Sequence, residues 1–392
     1  MLKATKVRIY PTAEQADFLN QQFGAVRFVW NNALGLKNHF YKVKHQNLSP
    51  LKDLKPLLSA GKKSRKYAWL KQYDSIALQQ AVIHLDKAFK NFFDPKLASR
   101  FPRFKSKHGK QSSYHCTSVS VGEDWIKVPK CTPIKAKVHR LIEWKVKSIT
   151  LTRTATGKYF ASILVEDQQD NAVLPKEIEA NQITGIDIGL THFAILDSGE
   201  KIANPRHLKK SEANLRRKQK ALSRAKKGTK GRAKARLLVA KAHERVANAR
   251  NDFQHKLSKL IIDENQAVVV ETLKVKNMLK NHRLAKHISD ASWSSFFEKL
   301  EYKAKRSGCY LVKIDQWYAS SKTCHCCGHK VEEMPLSVRR WDCPNCEAKD
   351  IDRDINAAMN VRAQGILKLK AEGLSVSAKG GKRKSSVLLA AA

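Results

Sequence analysis

Ile183-Thr-Gly-Ile-Asp-Ile-Gly-Leu190 decides how this chain is read. The run has the β-branched, apolar character of a buried strand and is punctuated by glycines. Asp187 stands inside it, although an acid is depleted in strands and costly to bury unpaired. A bound cation removes that cost. Two further acids repeat the situation. Glu271 ends Gln266-Ala-Val-Val-Val-Glu271, where the plain alternative is a strand leaving for solvent. Asp354, in Asp352-Arg-Asp-Ile-Asn-Ala-Ala358, stands at a helix start, where the plain alternative is an N-cap; Asp352 can take either role. Magnesium prefers oxygen ligands and keeps several waters, so two or three carboxylates plus a substrate phosphate suffice to hold it. The set therefore points to phosphodiester hydrolysis with two ions about 4 Å apart. On this reading Asp187 bridges the ions, while Glu271 and Asp354 each complete one side.

Charge supplies the substrate class. Among 392 residues there are 75 Lys+Arg against 35 Asp+Glu, a formal net charge of +40. Such a surface repels itself unless it meets a polyanion, and nucleic acid fits best because neutralised phosphates release counterions. A hydrophobic content of 42% excludes a disordered polycation. No apolar run reaches the ~18 residues of a membrane span and the N-terminus lacks a signal-peptide core. A cytosolic protein with no membrane partner is expected.

Outward from the central strand, Leu2–Tyr10 alternates as a strand, and Thr12 with Gln15 forms a capping box for a helix starting at Ala13. Helical periodicity continues to about residue 100, with a further helix from Ser75. Phe101-Pro-Arg-Phe-Lys-Ser-Lys-His-Gly-Lys110 reads as a basic loop, and Val146 to Asp167 as a hairpin turning at Ala155–Lys158. Residues 176–182 read as a polar linker. A strand at Phe193–Leu196 turns at Asp197-Ser-Gly199. Residues 206–259 carry nineteen Lys/Arg against three acids, and Gly228 and Gly231 are expected to split them into two helical arms that track a nucleic-acid backbone. Helices are expected from Ser292 to Arg306 and after Asp354, with a strand from Gly308 to Asp315.

Cys324-x-x-Cys327 and Cys343-x-x-Cys346 are separated by 15 residues. Two such pairs close a tetrahedral thiolate site for structural zinc. Cys326 and His325 blur the ligand assignment, while Cys116, Cys131 and Cys309 have no partner at metal spacing. Arg339, Arg340 and Trp341 place positive charge and an aromatic ring beside this ribbon.

The order Gly-Ile-Asp-Ile-Gly, Val-Val-Glu-Thr-Leu, Ser-Lys-Thr-Cys-x-x-Cys, Cys-Pro-x-Cys, Asp-Arg-Asp-x-Asn-Ala-Ala resembles the TnpB family over nearly the whole chain. These transposon-encoded proteins are related to type V CRISPR effectors. The resemblance implies a multidomain α+β protein with an RNase H-like (RuvC) nuclease domain, an inserted zinc ribbon, and an N-terminal β-barrel (wedge) domain interrupted by a helical recognition lobe. The expected boundaries are 1–10 with 111–180 for the barrel and 11–110 for the lobe. The nuclease domain takes 181–316 with 350–370, the ribbon 317–349, and a disordered basic tail 371–392. The implied activity is RNA-guided cleavage of double-stranded DNA beside a short adjacent motif. Its guide RNA would come from the transposon end, one protein per guide. The resemblance assigns Asp187, Glu271 and Asp354 as catalytic acids holding two magnesium ions, and Cys324, Cys327, Cys343 and Cys346 as zinc ligands. It favours Asp354 over Asp352. Thr272 stands where relatives often carry another acid or Asn. Competing readings are a nuclease-inactive RNA-guided regulator, a DNA-directed transposase and a structure-specific nuclease needing no guide.

Overall fold

The computed structural model describes residues 2–107, 111–167, 172–335 and 337–377. It divides into two compact units, Met1–Asp170 and Asn171–Ala392.

The first unit opens with β1 (Leu2–Tyr10) and α1 (Ala13–Lys44). The Thr12 hydroxyl accepts from the Gln15 backbone N–H and the Gln15 side chain accepts from the Thr12 N–H, the reciprocal cap expected from these residues. Next come α2 (Lys55–Gly61) and α3 (Ser75–Phe93). Leu19, Phe23, Val26 and Trp30 of α1 are buried, as are Leu78, Val82, Leu85 and Phe89 of α3, and all lie in one apolar core. The strands β2 (Gln111–Cys116), β3 (Ser120–Val121), β4 (Trp125–Lys127), β5 (Ile134–Lys137), β6 (Val146–Thr154) and β7 (Tyr159–Glu166) follow. They form one antiparallel sheet in the order β2-β6-β7-β1-β5-β4-β3. The first strand thus sits between β7 and β5 although the helices separate it from them in sequence. The expected barrel is realised as a half-barrel: the order has two ends, β2 and the two-residue β3, which is too short to close the ring.

The second unit begins with β8 (Glu177–Glu179), β9 (Ile183–Asp187), β10 (His192–Leu196) and β11 (Lys201–Ala203). The helices α4 (His207–Arg224) and α5 (Lys230–Asp263) lead to β12 (Ala267–Val270), and α6 (Val275–Met278), α7 (Ala285–Ala291) and α8 (Trp293–Ser307) to β13 (Tyr310–Lys313). After the cysteine segment come β14 (Arg340–Trp341), β15 (Ile351–Asp352), α9 (Arg353–Ala371) and β16 (Ser375–Ser377). The main sheet has the order β11-β10-β9-β12-β13. β10 runs antiparallel to β9 and β11, and β12 runs parallel to β9 and β13, so helical crossovers are required around β12. The strands β9 and β12 are buried along almost their whole length, as strands covered on both faces are. Two expectations change here. Residues 177–179 are not linker but a strand paired in parallel with 375–377, and the two form a small sheet of their own in the second unit. The arms break at Gly228, whereas Gly231 lies inside the first turn of α5. Residues 378–392 of the expected tail lie outside the described residues. Among the described residues, no helix is long and apolar enough to cross a membrane.

Candidate active site and metal centre

The three acids come from three elements and meet at one end of the main sheet. Asp187 is the last residue of β9. Val270 of β12 pairs with Ile186, so Glu271 emerges beside Asp187. Asp354 lies in the first turn of α9, whose partial positive charge favours a carboxylate. What brings α9 down onto the sheet is the absence of two side chains. A Cβ on Gly185 would lie 2.2 Å from the Ala358 carbonyl oxygen, and one on Gly365 would lie 2.2 Å from Val269 Cγ2. The glycine two positions before Asp187 is therefore the seat of the helix that carries Asp354.

Electrostatics registers the convergence. Burial, then the charges of Glu271 and Asp354, push Asp187 up to about 7. Burial also raises Glu271, against the opposing effect of the Ser320 hydroxyl, which donates to its carboxylate at 2.6 Å. Arg339 Nη1 stands 3.5 Å from Asp354 Oδ1. Asp352 is engaged otherwise. Its carboxylate caps α9 by accepting from the Asp354 and Ile355 N–H groups and pairs with Lys201 at 2.5 Å. Burial would raise it, but Lys201 and those N–H groups prevail and hold it below the ordinary value. Like charges gathered in partial burial are costly without a cation, and an all-oxygen set suits magnesium.

The cysteines close a second centre. The sulfurs of Cys324, Cys327, Cys343 and Cys346 all lie within 4.8 Å of one another. Two pairs, Cys324–Cys346 and Cys327–Cys343, stand 3.8 and 3.6 Å apart. A tetrahedron with metal–sulfur bonds of about 2.3 Å has sulfur separations of about 3.8 Å, so the four thiols fit such an ion. Cys326 lies outside this group of four. Burial raises Cys116 and Cys309 to about 12, as suits inert core thiols.

Several residues that hold the site were not singled out from sequence. Asn356 and Asn360, one turn apart on α9, both donate to the carbonyls of Ser320 and Thr323 and so tie the cysteine segment to the helix bearing Asp354. Asp197, read only as a turn, is buried beneath β9, where it accepts from the Thr184 hydroxyl and the Gly185 N–H and pairs with Arg362 at 3.3 Å. The signal available for the asparagines was their spacing on one helical face; nothing marked Asp197 or Ser320.

Comparison with known proteins follows the same division. Residues 162–282, which include Asp187 and Glu271, match a family described as "Probable transposase". Residues 293–361, with the four cysteines and Asp354, match "Cas12f1-like, TNB domain". A protein of Streptomyces pristinaespiralis carrying the name "Putative RNA-guided DNA endonuclease" is 39% identical over 372 residues, covering 93% of this chain and 89% of the relative. The chain belongs to the TnpB family. A second TnpB relative, "Putative RNA-guided DNA endonuclease InsQ" of Escherichia coli strain K12, is 27% identical over 93% of this chain and 92% of its own. The fold is shared with the protein in a structure titled "Cryo-EM structure of the Cas12f1-sgRNA-target DNA complex", with a TM-score of 0.55 at 14% identity, covering 92% of this chain and 98% of that one. Residues 1–46 match a "Helix-turn-helix domain", but in this TnpB chain they form a strand and one uninterrupted 32-residue helix.

Proposed function

We propose that this chain is an RNA-guided DNA endonuclease of a transposable element. The observation that carries the proposal is the convergence of Asp187, Glu271 and Asp354 from two adjacent strand ends and one helix start, with burial and mutual repulsion acting on Asp187. In this reading the five-stranded sheet with α9 is an RNase H-like (RuvC) nuclease core, and the cysteine segment is a structural zinc ribbon. Magnesium held by the three acids would supply the Lewis acidity that activates the attacking water and stabilises the leaving oxygen. The chain's own groups do the rest. Ser320 fixes the Glu271 carboxylate, and Asp197 with Arg362 braces β9 under Asp187. Asp352 is occupied by its cap and by Lys201, which supports Asp354 as the third acid that would hold the metal.

The half-barrel and helical unit would hold the guide RNA, derived from the transposon end, at one protein per guide. Base pairing would read the target sequence, while the protein grips backbone and reads a short adjacent motif. The nineteen Lys/Arg of residues 206–259 supply backbone contacts of that kind. The protein would act in the prokaryotic cytosol. No observation favours a nuclease-inactive regulator, which has no use for an intact acid cluster.

The test is to purify the chain from cells carrying its native flanking DNA and sequence the RNA retained at high salt. A discrete species with a constant scaffold and a variable end is expected. Random cellular RNA, or none, would overturn the guided reading in favour of a DNA-directed enzyme.

A further inference from the structure

Trp317 is 80% exposed, the most open of the large aromatic side chains among the described residues. Leaving an indole in water forgoes the burial that most tryptophans find in a core or an interface. Its backbone is nevertheless held firmly. The Trp317 N–H donates to Asp315 Oδ1 at 2.7 Å, and the Ser320 N–H donates to the Tyr318 carbonyl at 2.9 Å. Ser320 in turn is clamped through its carbonyl by Asn356 and Asn360, and its hydroxyl holds Glu271. The ring thus stands on a pedestal built from the same short connection that orients one of the acids.

Its position relative to the acids is fixed by the sheet. The Ile314 N–H donates to Val270, so Ile314 lies opposite the start of the Glu271 segment, and Thr272 Oγ1 donates to the Ile314 carbonyl at 2.6 Å. Trp317 follows three residues later, a span of at most about 11 Å. Lys274, three residues after Glu271, brings its ammonium to 5.8 Å from the ring centroid. An exposed, pre-oriented aromatic face with a cation at its side is what a nucleotide needs: a π-surface for the base and a positive charge for its phosphate.

We propose that Trp317 is a stacking platform that receives one unpaired base of the DNA strand being cut, within about three nucleotides of the scissile phosphate. A base inside a duplex has both faces covered by its neighbours. The platform therefore selects a strand that has been separated from its complement, which makes Trp317 a positioning residue for single-stranded DNA. The inference rests on the nuclease reading for its substrate, and its test separates the two.

Full-length protein carrying its bound RNA is compared with Trp317→Ala and Trp317→Phe on matched DNA containing one abasic position moved stepwise past the cut. Stacking of one base predicts that Trp317→Ala slows cutting about tenfold and that Trp317→Phe largely restores it. One abasic position should slow the wild type by a similar factor and leave Trp317→Ala unaffected. Independently of cutting, a short single-stranded oligothymidylate should quench indole fluorescence in the wild type more than in Trp317→Phe, and a duplex of equal length should not. If the wild type cuts nothing while this quench persists, the nuclease reading fails and the platform stands. Equal cutting and equal quench in Trp317→Ala would overturn the platform. So would a loss of cutting matched by a fall in melting temperature, with no abasic position discriminating the variants.

Discussion

Gly185→Ala is the sharpest perturbation of the account, because a single methyl group tests how α9 is seated. Alanine restricts the unfolded chain, which favours folding by about 0.5–1 kcal/mol relative to glycine in a strand. Against that gain stands a backbone clash. The new Cβ would lie 2.2 Å from the Ala358 carbonyl oxygen, 2.6 Å from the Arg362 nitrogen and 2.7 Å from Arg362 Cβ, whereas ordinary contact begins at 3.4 Å. No rotamer relieves a contact with helix backbone, so α9 must retreat by about 1 Å. Overpacking of this kind costs about 1–3 kcal/mol and sometimes more, which outweighs the entropic gain. A net loss of about 1 kcal/mol lowers the melting temperature of a unit this size by about 2–4 °C. The functional loss should be larger than the stability loss, because α9 carries Asp354 away from Asp187 and Glu271. A misplacement of about 1 Å at a reacting centre costs about 100-fold in rate. Thermal unfolding and single-turnover cutting at a temperature well below the transition separate the two effects. Gly35→Ala serves as control, since its Cβ would come no nearer than 3.9 Å to Phe104. Unchanged melting and unchanged cutting in Gly185→Ala would refute the seating argument.

Four further outcomes follow from the same geometry. Asp187 is held at about 7, well above its value in the unfolded chain, so the metal-free fold prefers the protonated acid and loses stability as pH rises from about 4 through 7. Asp187→Asn cannot ionise, and in the presence of chelator it should melt above the wild type at pH 8, with that advantage shrinking towards pH 5; a gap constant with pH would contradict this. Ser320→Ala removes the hydrogen bond to Glu271, and since bonds to charged groups are worth about 1.5–3 kcal/mol, cutting should fall about 10- to 100-fold with the fold intact by circular dichroism. Asp354→Asn should abolish cutting, whereas Asp352→Asn keeps an N-cap, loses only the Lys201 pair and should retain most activity in the same assay. Cys343→Ser should lower bound zinc measured by atomic absorption and expose the ribbon to protease, because structural zinc contributes about 10–16 kcal/mol in small metal domains.

The parts of this molecule legible in sequence are those whose signal is local. An acid inside Ile-Asp-Ile, an acid ending Val-Val-Val, and paired Cys-x-x-Cys motifs each announce a chemistry that apolar packing cannot explain; the structure gathers the four cysteine sulfurs within 4.8 Å and sets Glu271 and Asp354 near enough for their charges to raise Asp187. The Thr12–Gln15 box and the hairpin from Val146 are likewise local patterns, readable because capping and turn chemistry act over three or four residues. What escaped reading depends on partners far apart in the chain. The pairing of Glu177–Glu179 with Ser375–Ser377 spans almost the whole second unit, and three-residue strands have no periodicity to reveal it. Gly185 and Gly365 look like ordinary strand and helix glycines until each is seen against the element it admits. Asp197 sits in a turn-forming Asp-Ser-Gly, so its burial under β9 had no local mark. The half-barrel's two ends follow from strand lengths that composition does not encode.

The most direct test of the central claim is cutting of a plasmid by the RNA-bearing protein in magnesium. The plasmid carries a segment matched to the variable end of that RNA, and Asp187→Ala is run alongside. The expected cut requires the match, disappears with chelator and is lost in Asp187→Ala, although the variant still retains its RNA. Cutting that ignores the match, or that survives Asp187→Ala, would contradict it.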